Sequence, residues 1–393
     1  MNISIVGCPF QTTYGAYITS LRSALERQSG APVQWVGSNC GCGDPTPEAH
    51  KLETGNIDYF EMREKLAGVS LIAYTANPIK RAIRAGVREA SNSRRARHYV
   101  KLAEHADVMH VQQTLGSYGS DVIFHFLREK TGIARVITVH ELDAEQTANP
   151  EYNLTYNQAD ALIVHDKAMK NKLAALGVHP DLVHVVCQGT HLAEGESVAR
   201  DGLVYYGGHH FDEGKGVDVL LNAYKLLKDR HGAAAPRLRI HGHYGPTPAD
   251  ILAKAAELGI VDDVEWLDDI SRDEMTKLYR RSAVCVLPYK RSFAGLPAGL
   301  AAANRVPIIA TKAAGIPEHI GDLGIWIGGD DPTELADRID QVLNDEAMRK
   351  DYGARLRARA ETHLGWDVIG RETLKIYEIA RERANRRGVS RAA

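Results

Sequence analysis

At 393 residues the chain exceeds what one ordinary hydrophobic core holds together, so two domains are expected. Hydrophobic residues make up 44% and charged residues 25%, the balance of a soluble globular protein, and a formal net charge of −2 argues against a nucleic-acid partner. Five scattered cysteines (Cys8, Cys40, Cys42, Cys187, Cys285) form no disulfide framework and suit a reducing compartment.

The N-terminal run MNISIVGCPF is too short for a signal peptide, has no basic residues before it, and reads as a first strand. No stretch approaches the roughly 20 apolar residues that span a bilayer, so a cytoplasmic protein is expected. Short β-branched runs follow at Ile3–Val6, Val33–Val36, Leu71–Tyr74, Val108–Val111, Val136–Val139, Ala161–Val164 and Val183–Val186, with helical patterns such as Ala16–Arg27 and Asp166–Leu176 between them. Such alternation predicts a parallel sheet covered on both faces. Cys40-Gly41-Cys42 lacks a second Cys/His pair at finger spacing, so it is read as a glycine-rich surface loop and no metal site is expected.

A polar, glycine-containing stretch at residues 192–201 reads as a linker, after which the alternation restarts at Leu203–Tyr206, Leu238–His241, Val264–Leu267, Ala283–Leu287, Val306–Ala310 and Ile325–Ile327. The expected fold class is α/β, with two Rossmann-like, doubly wound parallel-sheet domains facing across a cleft. The first covers residues 1–191 and is rejoined by a crossover helix at 366–393; the second covers 202–365. The basic end RERANRRGVSR is expected to be a solvated, frayed face.

Open α/β sheets bind ligands at the C-terminal ends of their strands, so the loops there are the candidates. After Leu203–Tyr206 comes Gly207-Gly208-His209-His210-Phe211-Asp212-Glu213-Gly214-Lys215-Gly216 and then an amphipathic helix. The glycines let backbone approach a ligand, and Lys215 ahead of a helix start can meet an anion. Gly242-His243-Tyr244-Gly245-Pro246 follows the next strand, and Gly295-Leu296-Pro297 opens a small-residue helix after Ala283–Leu287. No Asp or Glu lies between Glu274 and Glu318, whereas Lys290, Arg291, Arg305 and Lys312 fall inside that gap. Together these loops suggest a diphosphate site, with the local cations assisting.

The order GG-x6-KG-helix, H-G-x-x-G, LYRRSAV-x-VLPY, FAGLP and VPIIAT-x-x-AGIPE resembles the retaining nucleotide-sugar glycosyltransferases of the GT-B fold, specifically glycosyltransferase family four. DVMHV, VITVH and QADALIVH match the family's strand signatures in the first half, and LGWDVIGRETLKIY resembles its crossover helix. The resemblance implies transfer of a hexose from a UDP- or GDP-hexose with retention at the anomeric carbon, without a cofactor or divalent metal. It implies catalytic roles for His140 and Lys215, and donor contacts at Gly208, His209, His210, Lys215, Gly242, Ser292, Gly295, Leu296 and Glu318. An acceptor (a glycan, lipid or small molecule) would enter near Thr12, Thr13, Tyr14, Gly15 and Tyr17. The basic segment Asn77–Lys101 is read first as a solvated helical face and alternatively as a peripheral contact with the inner face of a membrane. A homo- or hetero-oligomer is compatible with the resemblance.

Several positions depart from the family. The two glutamates that order the donor sugar and ribose fall on Ser292 and Leu300, and the family arginine ahead of Lys215 is replaced by His209 or His210. The usual glycine pair before the first helix reads Thr12-Thr13-Tyr14-Gly15, and the interdomain turn reads Gln188-Gly189-Thr190-His191. The phosphate-handling parts are thus kept and the hydroxyl-reading carboxylates are not. Three readings follow: an active transferase with a rewired donor site, a non-catalytic GT-B protein that binds a sugar nucleotide or stabilises an active glycosyltransferase partner, and an epimerase-like hydrolase of sugar nucleotides. His110 is assigned a structural role.

Overall fold

The computed structural model describes residues 1–7, 13–37, 86, 90, 93–94, 96–113, 125–129, 132–140, 142, 154–192, 200–208, 213–242, 249–267, 270–291, 295–313 and 315–392. The chain divides into two compact units. Unit 1 comprises Met1–Val164, Met169–Val186 and Gly370–Ala393; unit 2 comprises His165–Ala168 and Cys187–Ile369.

Unit 1 carries a six-stranded parallel sheet. Its strands are β1 (Ile3–Gly7), β2 (Val33–Gly37), β3 (Val108–Gln113), β4 (Ala134–Val139), β5 (Ala161–Val164) and β6 (Val183–Val185), in spatial order β2-β1-β3-β4-β5-β6. Every residue of β1, β4 and β5 is buried, as parallel strands covered on both faces require. Helix α1 (Thr13–Ser29) follows β1. The segment Leu71–Tyr74, expected as a strand, and the Cys40–Cys42 loop lie outside the described residues.

Unit 2 repeats the plan with β7 (Asp201–Gly208), β8 (Leu238–Gly242), β9 (Val264–Leu267), β10 (Ser282–Leu287), β11 (Ile308–Ala310) and β12 (Ile325–Trp326), in order β12-β11-β10-β7-β8-β9. Central β10 is buried throughout and pairs Cys285 with Val204 on one side and Ile308 on the other. All six strands expected in this half are present, so the two-sheet α/β class holds.

The last helix, Trp366–Ala392, corrects one expectation. Its basic end is not simply solvated: Arg387 donates to both carboxylate oxygens of buried Asp160 at 2.6 and 2.7 Å, and Arg383 donates to the Asp160 carbonyl at 3.0 Å. Asp160 sits at the entry to β5 and also accepts the backbone N–H of Arg135 at 2.8 Å, so these arginines bolt the helix to the unit 1 sheet. Among the described residues no helix is long and apolar enough to cross a membrane.

Candidate functional site

In unit 2 the strand order reverses between β7 and β10: β8 and β9 extend from one, β11 and β12 from the other. Such a switch point opens a crevice at the strands' C-terminal ends. There Gly208 of β7 lies beside Gly242 of β8, across a register irregularity between Tyr206 and Gly208. The chain then makes a tight turn at Glu213–Lys215 and enters helix α2 (Val217–His231) through Gly216. The Gly214 carbonyl accepts the backbone N–H groups of Lys290 and Arg291 at 2.8 and 2.9 Å, zipping this turn to the segment that follows β10. Gly216 has φ +62°, and a Cβ there would stand 2.0 Å from the Pro288 carbonyl oxygen. Only glycine closes the junction.

Lys215 is held at this junction from both ends. Its carbonyl accepts from the Tyr205 hydroxyl at 2.9 Å, and its Nζ lies 4.6 Å from the centre of the Tyr289 ring. Tyr205 and Tyr289 are buried and meet edge to face at 6.1 Å, while Thr311 donates its hydroxyl to the Tyr289 carbonyl. An ammonium over an aromatic face gains about 0.5–2 kcal/mol and keeps its charge. The tyrosines therefore aim a cation at the switch point. Sequence reasoning did not single them out, although Tyr289 stands in the VLPY motif.

The other cations of the acid-free stretch have surroundings of their own, and Lys290 is paired with carboxylates rather than left for an anion. Lys290 pairs with Asp218 at 3.3 Å and Asp330 at 3.4 Å, two carboxylates from outside the stretch. Lys312 lies 5.7 Å from the Trp326 ring centre. Arg305 adopts φ +58°, and its carbonyl accepts from Arg200. Arg291 is exposed at the edge of the described residues.

Helix α5 (Leu296–Ala303), the fourth after α2, α3 (Ala249–Glu257) and α4 (Arg272–Arg281), begins at Gly295 without a side-chain cap. A Cβ at Gly295 would meet His319 Nδ1 at 2.1 Å and the Gly315 carbonyl at 2.5 Å. His319 is fully buried and donates Nδ1–H to that carbonyl at 2.7 Å. Burial pushes His319 below its ordinary pKa, and the bond to Gly315 offsets this only in part. The imidazole thus clasps the turn after β11 to the start of α5. Leu296 is half-buried, and Leu300 packs against the unit 2 core. An aliphatic side chain therefore fills the position where the resembling family carries its second glutamate.

Glu318 is half-buried; its carboxylate accepts the backbone N–H of Lys167 at 3.2 Å, and its carbonyl accepts from Arg359 at 2.8 Å. Ser292, His209 and His210 lie outside the described residues.

In unit 1 the strand order reverses between β1 and β3, and a second group of candidates gathers there. Thr13, Tyr14 and Gly15 open α1; only their backbone is described. Tyr17, one turn on, is 3% exposed and meets the His140 ring edge to face at 5.0 Å. Burial lifts Tyr17 well above the usual phenol range, and a hydrogen bond with Thr138 lowers it only in part. Tyr17 thus braces His140 from inside the unit. His140 Nε2 lies 2.9 Å from Gln112 Oε1, and Gln112 Nε2 lies 3.0 Å from His110 Nε2. His110 Nε2 also reaches Thr138 Oγ1 at 2.7 Å, and its Nδ1 reaches Tyr377 Oη at 2.6 Å. His110 is thus the hub of a buried polar chain that reaches His140.

Comparison with known proteins agrees with this architecture. Sucrose-phosphate synthase from Thermosynechococcus elongatus superposes with a TM-score of 0.68 at 18% identity, covering 96% of this chain and 98% of that one. Anabaena Alr3699/HepE in complex with UDP superposes with a TM-score of 0.62 at 14% identity, covering 95% and 99%. These likenesses define the class: the chain has the GT-B fold. Within that class, residues 15–194 match the family described as Glycosyltransferase Family 4, and residues 200–345 match Glycosyl transferases group 1. The two matched stretches follow one another along the chain. The D-inositol 3-phosphate glycosyltransferase of Streptomyces bingchenggensis is 30% identical over 244 residues, 56% of this chain and 53% of that protein. The chain thus spans about half the length of the curated relatives it matches first.

Proposed function

We propose that the chain is a hexosyltransferase that takes its sugar from a UDP- or GDP-hexose and transfers it, with retention at the anomeric carbon, to a hydroxyl acceptor. One observation carries this reading: Lys215 is fixed by Tyr205, Tyr289 and the Gly214–Lys290 zipper at the switch point of unit 2. A preorganised cation there would stabilise the charge that develops on a departing diphosphate, the largest single contribution in transfers of this kind. In the proposed step the bond from the anomeric carbon to the diphosphate oxygen breaks. A bond to the acceptor oxygen forms on the same face, and the acceptor proton goes to the diphosphate. Backbone N–H groups at Gly295–Leu296 are the second donor set, since α5 begins without a side-chain cap.

The UDP complex of the Anabaena neighbour supports a nucleotide donor. Among glycan, lipid and small-molecule acceptors, the D-inositol 3-phosphate in the relatives' name favours a polar small molecule. His140 is the candidate for contacting a sugar or acceptor hydroxyl.

Leu300 favours a second reading. Packed against the core, it cannot accept from a ribose hydroxyl, and a hydroxyl left unpaired in a closed site costs on the order of 1–3 kcal/mol. A non-catalytic protein that stabilises an active glycosyltransferase partner would carry such a change without loss, and one that only binds a sugar nucleotide would bear it as weaker binding. Screening UDP- and GDP-hexoses for release of the nucleoside diphosphate separates the two: turnover supports the transferase, and binding without turnover supports the scaffold.

A further inference from the structure

We infer that Gln112 is a positioning residue that sets the protonation pattern of His140, and that it does so by coupling His140 to His110. The inference rests on the proposed transferase reading for its kinetic consequence but not for its structural one. A primary amide has one accepting end and one donating end. Gln112 places its Oε1 2.9 Å from His140 Nε2 and its Nε2 3.0 Å from His110 Nε2. The two imidazole nitrogens therefore face opposite ends of the same amide. If both carried a proton, one N–H would point at the NH2 group; if neither did, one lone pair would point at the carbonyl oxygen. Exactly one facing nitrogen can hold a proton without breaking a bond.

The amide orientation assigns it. His140 Nε2–H donates to Gln112 Oε1 at 2.9 Å. Gln112 Nε2–H donates to His110 Nε2, so the proton of His110 sits on Nδ1 and is donated to Tyr377 Oη at 2.6 Å. Thr138 Oγ1, 2.7 Å from His110 Nε2, shares that lone pair as a second donor. Gln112, His110 and Thr138 are at most 4% exposed, and Tyr377 is fully buried, so water does not compete for these positions. In that setting an unmade hydrogen bond is costly, and the pattern is rigid. The last helix is thereby linked to His140 through Tyr377, His110 and Gln112. The coupling fixes which nitrogen of the His140 ring faces Gln112 with a proton, and so which side of the ring donates.

The test is nitrogen-15 NMR of histidine-labelled protein, with His110 and His140 assigned by single His→Gln variants. Wild-type protein should show His140 protonated at Nε2 and His110 protonated at Nδ1. Both rings in the same tautomer would overturn the proposal, whether or not the protein is a transferase. In Gln112→Leu the complementary pattern should disappear and kcat should fall about tenfold, the equivalent of one lost hydrogen bond, with donor KM unchanged. Gln112→Glu keeps an acceptor for His140 Nε2–H and should retain most of kcat while His110 moves its proton to Nε2. Equal losses in the Leu and Glu variants, with an unchanged His140 tautomer in both, would reduce Gln112 to a space-filling residue. If the tautomers are complementary but no sugar nucleotide is turned over, the coupling stands and the transferase reading fails.

Discussion

Gly216→Ala is the sharpest perturbation of the Lys215 junction. The residue sits at φ +62°, where an L side chain costs about 1–2 kcal/mol. In addition, the new Cβ would lie 2.0 Å from the Pro288 carbonyl oxygen, a backbone atom that no rotamer change can move aside. Relief requires the Lys215 turn to part from the segment after β10, which breaks the bonds from Lys290 and Arg291 to the Gly214 carbonyl. Each is worth about 0.5–1.5 kcal/mol, so the expected destabilisation is about 2–5 kcal/mol. Gly259→Ala is the control, because its φ of +68° is similar but nothing lies within 4 Å of the added Cβ. It should show only the backbone contribution of about 1–2 kcal/mol. Urea denaturation of both variants gives the difference, and calorimetry with UDP and GDP should show nucleotide affinity lost in Gly216→Ala and kept in Gly259→Ala. Equal stability of the two variants, or unchanged nucleotide affinity in Gly216→Ala, would refute the reasoning.

Lys215→Met should leave the fold intact and weaken donor-nucleotide binding by roughly 10–100-fold, the worth of a charge-assisted hydrogen bond; calorimetry that finds unchanged affinity removes Lys215 from the site. Leu300→Glu puts a charge against the unit 2 core and should lower both stability and activity in an active enzyme; improved nucleotide binding when it is combined with Ser292→Glu would instead favour the non-catalytic reading. His319 has a folded pKa below its usual value, so as pH falls below about 6.5 the unfolded chain takes up the proton first and stability declines. His319→Asn should reduce that slope by up to about 1.4 kcal/mol per pH unit, and a slope unchanged between pH 7 and 5 would show that His319 is not the group responsible. Arg387→Ala breaks a nearly buried pair with Asp160 and should destabilise unit 1 by about 2–4 kcal/mol, whereas Arg386→Ala, whose partner Glu382 is exposed, should change stability by less than about 1 kcal/mol; comparable denaturation midpoints for the two would contradict the bolting role of the last helix.

The alternation of β-branched runs with helical patterns made the two-sheet plan legible, because parallel strands covered on both faces must be apolar along their whole length. Lys215 and Gly295 were legible for a related reason: glycines where a turn or close approach demands them leave a local mark. What the sequence hid is the partnering across long separations. Lys290, Lys312 and Arg305 looked like a cationic field because no acid lies between Glu274 and Glu318, yet Asp218 in the first turn of α2 and Asp330 reach Lys290 from elsewhere in the chain. Arg383 and Arg387 read as a solvated tail because their partner, Asp160, lies more than two hundred residues earlier. His110 looked structural by itself; its link to His140 runs through Gln112, a residue with no motif to mark it.

The central claim, that Lys215 at the unit 2 switch point serves sugar transfer from a nucleotide donor, is tested most directly by one measurement. Release of UDP or GDP from a panel of UDP- and GDP-hexoses is followed for wild-type protein and for Lys215→Met, with inositol phosphates and simple glycosides as acceptors. The account predicts that wild-type protein consumes at least one donor in an acceptor-dependent manner and that Lys215→Met does not. Consumption of the same donor at the same rate by both proteins, or of no donor by either, would contradict it.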